Sequence, residues 1–135
     1  MKRIALCILL ALISFSVFSQ NSLMWFRAIS MNIAQNEKWD TPVNANIKVS
    51  VNLEKDAFFE GTIMVYNEKV EVYSFTEYLG RKQTREGETY SWTFINESGI
   101  KGLCRFFINN DETYVLTILL PDRGFGVAYQ MISID

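Results

Sequence analysis

Histidine is absent from the 135 residues, and cysteine and proline occur twice each. Histidine is the commonest general base at neutral pH and the commonest zinc ligand, so its absence excludes serine-histidine-acid and cysteine-histidine mechanisms in their usual forms. With only Cys7 and Cys104, a cysteine-rich zinc site is excluded as well. The chain also lacks a GxxxxGK phosphate loop, a GxGxxG turn and a GxSxG nucleophile turn. "GFG" at Gly124 to Gly126 is only a turn running into a strand. A membrane-spanning helix needs about 20 apolar residues, and the uncharged, mostly apolar run from Ile4 to Phe18 has about 15. No proline-rich, glycine/serine-rich or like-charge stretch divides the chain, so no linker is expected.

What the apolar run fits is an export signal. Lys2 and Arg3 precede it, and Val17 and Ser19 supply tolerated side chains at the minus-three and minus-one positions of a cleavage site. The expected organisation is therefore a signal peptide at 1–19 and a single β domain at 20–135, with Gln20 the first mature residue. The expected location is the periplasm or the exterior of a bacterial cell. Loss of Lys2 and Arg3 would lower the 13 basic residues to 11 against 15 acidic ones, a net charge of about −4 that disfavours nucleic acid as a partner. Loss of Cys7 would leave Cys104 alone, so no internal disulfide could form. Cys104, within "GLCRFFIN", reads as a small buried apolar residue.

The remaining sequence is a succession of short β-rich runs and polar turns. In "NIKVSVNL", Ile47, Val49, Val51 and Leu53 share one face while Lys48, Ser50 and Asn52 share the other, the alternation of a half-buried strand. "AFFEGTIMVY" and "VEVYSFTEYL" follow as a hairpin about "NEK". The charged stretch "GRKQTREGE" reads as the longest turn, leading into "TYSWTFIN". "IKGLCRFFIN", "TYVLTILL" and "FGVAYQMISI" close the chain as a meander, with turns at "NDE" and "PDRG". "SLMWFRAISMNIA" reads as a strand with Leu23, Trp25, Ile29, Met31 and Ile33 on one face and Arg27 as the exception; a helix is the alternative. "NEKWDTPVN" reads as the loop after it. The expected fold is all-β, an antiparallel up-and-down meander of about eight strands closed into a small barrel, with an open antiparallel sheet or a sandwich as the alternative.

Trp25, Ala28, Trp39, "IKVSVNLEKD" and the string of hairpins to the C-terminus resemble small exported bacterial β proteins. In outline the meander is similar to lipocalin-like barrels, although Trp25 lies between Met24 and Phe26 without the glycine-x-tryptophan signature. Neither resemblance carries functional residues with it.

Carboxylates and aromatics are the remaining candidates for function. Glu54 and Asp56, like Asp111 and Glu112, sit in turns and read as solvated strand ends. Glu60 and Glu71 lie within β-rich runs and would form a polar patch in a barrel if they faced inward. Arg81, Lys82 and Arg85 stand beside Glu86 and Glu88, a candidate lid or partner-contact loop whose charges largely cancel. An aromatic cup is expected from residues that include Tyr73 and Tyr129, with Trp92 and Tyr90 as its leading wall and Trp25 and Trp39 as weaker ones. The opposing expectation is that these rings fill the interior. The leading expected function is a non-enzymatic exported binding module for a small apolar or aromatic ligand, with no cofactor and no metal. The alternative is a protein-interaction domain, because "VLTILL" and "RFFI" put bulky groups on both faces of their strands.

Overall fold

Ile47, Val49, Val51 and Leu53 all face a single apolar interior, and every later strand adds its own alternate residues to it. The computed structural model describes residues 22–53 and 61–134. The expected signal peptide, Cys7, Glu54, Asp56 and Glu60 lie outside the described residues. The strands are β1 (Ser22–Gln35), β2 (Lys38–Trp39), β3 (Val43–Leu53), β4 (Gly61–Tyr66), β5 (Val70–Gln83), β6 (Gly87–Asn96), β7 (Lys101–Asn109), β8 (Tyr114–Leu120) and β9 (Phe125–Ser133). Each of the long strands pairs antiparallel with the next, and β9 returns to pair with β1 from Phe26↔Ser133 to Gln35↔Phe125. That last pairing closes an eight-stranded barrel, decides against the open sheet and sandwich, and leaves the large strands without an unpaired edge. The architecture has the lipocalin-like outline. Its apolar interior is the inverse of a membrane-spanning barrel, whose lumen is polar.

β1 is a strand throughout, so the helical alternative is set aside, and its inward face differs from the sequence expectation. Met24, Phe26 and Ala28 are buried, while Leu23 is 50% and Ile29 46% exposed. A bulge between Ala28 and Ser30 makes Ile29 an extra residue against β9, and the register with β3 shifts at the same point, there with the extra residue on β3 between Asn44 and Ile47. One added residue flips the phase of a period-2 strand, so Met31 and Ile33 pack against the core after it. Arg27 is then no exception. It shares the outer face with Leu23 and Trp25.

A second correction concerns "GRKQTREGE". Gly80 to Gln83 remain in β5 and pair with β6 as far as Gln83↔Glu88, leaving a short turn closed by the Thr84 N–H donating to the Gly87 carbonyl at 2.8 Å. Thr76 and Leu79 are bulges in β5, and Gly80 takes φ 115°, a conformation that favours glycine. These bulges increase the local twist and let a charged strand end run on as a hairpin in solvent. At the opposite end, Asn36 and Glu37 both take positive φ in the two-residue turn from β1 to β2, the signature of a type I′ hairpin.

Strand direction gives the barrel two distinct ends. The turns after β1, β4, β6 and β8 lie at one end, called here the upper end, and those after β5 and β7 at the lower end.

Candidate functional site

The alternation of "VEVYSF" places Glu71, Tyr73 and Phe75 on the inward face at the start of β5. Tyr73 pairs with Asn96, the last residue of β6, so β5 rises one turn of the pleat beyond its neighbour. The Val72 N–H at this step donates instead to Glu97 Oε1 at 3.0 Å. The upper end of the barrel is consequently open over a cavity of about 300 Å³. Its walls are Met31, Ile33, Ile118, Leu120, Phe125 and Val127, and its polar groups come from Asn67, Glu71, Tyr73, Asn96 and Tyr129. A second recess of about 470 Å³, between the start of β5 and the β6–β7 turn, shares Glu71, Tyr73 and Asn96 with it.

Tyr73 and Tyr129 are almost fully buried, and Glu71 is half-buried above them. Burial raises the Glu71 carboxyl above its ordinary range; the Tyr73 hydroxyl, donating to it, partly offsets this, and the negative charge of Glu97 adds to it. Burial likewise holds both phenols above their usual range, with the Glu71 charge as the next contribution. Both phenols stay protonated, and the Tyr73 hydroxyl donates to Glu71. Among the described residues, no lysine or arginine lines the cavity and none forms an ion pair with Glu71. The site is thus an apolar cup with the Tyr73 and Tyr129 hydroxyls toward its floor, the half-buried Glu71 carboxylate above them, and the amides of Asn67 and Asn96 in its lining. Among the described residues, no three histidine, cysteine, aspartate or glutamate side chains converge as a metal site would require.

The residues expected from sequence to form a wall fall into three places. Trp92 is 2% exposed in the middle of the barrel, with its ring parallel to Phe75 at 4.4 Å between centroids and Tyr90 at 6.2 Å. Tyr90 continues toward the lower end, where its hydroxyl donates to Glu88 Oε2 at 3.1 Å; Arg81 lies 4.0 Å from the same carboxylate oxygen. This cluster raises the Tyr90 phenol to about 12, burial first and the Glu88 charge next. Trp25 and Trp39 stand outside the barrel, which corrects their assignment to a lumen wall. Trp25 alternates with buried Met24 and Phe26 and packs on Tyr66 at 5.5 Å. Trp39 reaches across Ala34 to Gly126, where an added Cβ would lie 3.4 Å from its ring. Lys82 pairs opposite Thr89 on the outer face, and Arg85 lies in the short turn, its carbonyl accepting from Asn110 Nδ2 at 2.6 Å.

Tyr90, Trp92 and Arg81 are therefore brought together, at the end opposite the open mouth. The mouth itself draws on Glu71, Tyr73 and Tyr129, all singled out in the sequence but on separate grounds. Its aliphatic walls carried no signal distinguishing them from core. Comparison of the chain with protein-family models, with curated proteins and with solved structures finds no match.

Proposed function

We propose that the protein is a non-enzymatic exported binding module that holds one small, largely apolar molecule in the upper mouth of its barrel. The observation that carries this reading is the apolar cavity of about 300 Å³ with a convergent carboxylate and two phenols, the usual make-up of a small-molecule site and near its lower size limit. The barrel outline alone would not support it, since one fold hosts many functions. Export rests on the basic start and uncharged run at Lys2 to Phe18. Native mass spectrometry of the mature protein, exported from a bacterial host, tests the reading. The expected result is an added small mass that is lost on denaturation and is not retained by Ile118→Trp, which fills the cavity. Equal retention by that variant refutes the mouth as the binding place.

A second reading, a protein-interaction domain, is favoured by the outer face. Trp25 and Tyr66 pack in a tilted pair on the face that also exposes Leu23, and Ile132 and Ile134 are exposed on or just after the paired β9. On the same face Ser50 is only 2% exposed, although it points outward between its cross-strand neighbours Trp25 and Met64. Light scattering across a concentration series distinguishes this reading, which requires self-association or a stable partner through that patch.

A further inference from the structure

The mouth is more specific than its apolar walls alone would make it. Glu71 sits among Tyr73, Tyr129 and aliphatic side chains, and among the described residues no basic side chain lines the cavity. The charge that acts on it is another acid, Glu97, whose Oε1 accepts from the Val72 N–H at 3.0 Å. Lys69 borders the neighbouring recess and does not line the cavity. Buried carboxylates in folded proteins are ordinarily paired with a cation, because an uncompensated charge taken from water is costly. Here the described fold supplies hydroxyl donors and no cation. A ligand with an anionic head would meet Glu71 and Glu97 as like charges in a setting of reduced dielectric, and would find no arginine or lysine to offset them. A protonated amine meets the opposite situation, a charge-assisted hydrogen bond to Glu71 in a mouth that Tyr73 and Tyr129 also line.

We propose that the upper mouth selects small apolar amines: a protonated amine head placed on the half-buried Glu71 carboxylate, and a single ring or short aliphatic body against Ile33, Ile118, Leu120 and Phe125. This rests on the ligand-holding reading above and adds the chemical class. The cavity limits the body to about one ring, since 300 Å³ is the share of roughly ten water molecules in the liquid. Charge-assisted hydrogen bonds contribute about 1.5–3 kcal/mol, which corresponds to roughly 10- to 150-fold in affinity.

Three probes with the same aromatic body separate the possibilities: 2-phenylethylamine, 2-phenylethanol and 3-phenylpropanoate, titrated into the mature protein and followed by calorimetry and by chemical-shift changes. The amine is expected to bind at least about tenfold more tightly than the alcohol, and the carboxylate more weakly than either. Glu71→Gln, which keeps the shape of the side chain, is expected to bring the amine down to the affinity of the alcohol and leave the alcohol unchanged. If the alcohol binds in the mouth but the carboxylate matches the amine, or Glu71→Gln leaves the amine preference intact, the amine class is wrong and the mouth reading stands. If none of the three binds at millimolar concentration and Ile118→Trp changes nothing in the native mass spectrum, both readings fall together.

Discussion

Trp92 is the residue on which the aromatic-wall expectation and the structure differ most, and its truncation measures the difference. The side chain is 2% exposed, parallel to Phe75 within 2° at 4.4 Å, and also in contact range of Tyr78 at 5.7 Å and Tyr90 at 6.2 Å. Removing a buried tryptophan to alanine costs about 3–5 kcal/mol, from lost transfer energy and the cavity left behind. Loss of the stacked pair adds about 1 kcal/mol. Domains of this kind have about 5–15 kcal/mol in total, so Trp92→Ala removes a large share. With a urea dependence of about 2 kcal/mol per molar, the unfolding midpoint followed by far-UV circular dichroism falls by about 2–3 M. Trp39→Ala is the control. Its side chain is 45% exposed on the outside of the barrel, and its loss is expected to move the midpoint by about 0.5 M or less. A shift for Trp92→Ala no larger than that of Trp39→Ala would refute the placement of Trp92 in a filled core. Because Trp92 lies away from the upper mouth, Trp92→Phe should also leave 2-phenylethylamine affinity within about twofold.

Gly102→Ala should be poorly tolerated, because the new Cβ would press on the Leu119 carbonyl oxygen and the Phe94 ring; thermal unfolding should report a loss of about 2–3 kcal/mol, and a neutral result refutes the packing of β7 on β8. Cys104 is buried with its thiol pushed up to about 12, burial outweighing the backbone hydrogen bond from Trp92, so a thiol reagent should label it only as fast as the barrel unfolds, and labelling that is independent of urea refutes its burial. Glu71→Gln should be more stable than the parent at pH 7. The folded carboxyl is raised above its ordinary value, so on acidification the folded chain takes up a proton first, and stability falls as pH rises through the interval between the unfolded and folded values. Below that interval the penalty disappears, and the gap between the two proteins should close on acidification; a gap constant from pH 4 to 8 refutes the burial of Glu71.

Strand number, order and most turn positions were legible in the sequence because each depends on a local signal. Alternation marks the strands, and Gly99, Pro121 and Gly124 fall in turns whose geometry suits them. What escaped was phase. In β1 the residues before and after Ile29 have opposite inward faces, so one alternation drawn through the whole segment had to leave an exception, and it left Arg27. In β5 the bulges at Thr76 and Leu79 did the same, which is why "GRKQ" looked like the beginning of a loop. A bulge is specified by the two partner strands jointly, so a single segment carries no sign of it beyond that broken pattern.

The site shows the same limit at the next level. Glu71 was legible as an acid in an apolar run, and Tyr73 and Tyr129 as members of an aromatic set, but nothing local says that the three meet. Their meeting depends on β5 starting above the end of β6, so that Glu71 faces an opening, and on β9 closing the barrel against β1, so that Tyr129 comes opposite. Trp92 and Tyr90, larger and more conspicuous, sit where the neighbouring strands pair on both sides and the space is already filled by Phe75, Phe94 and Phe106. In a small barrel, then, the size of an aromatic side chain predicts core. A carboxylate in the inward phase near a strand end marks the mouth, because only there can it keep part of its hydration while facing the apolar interior.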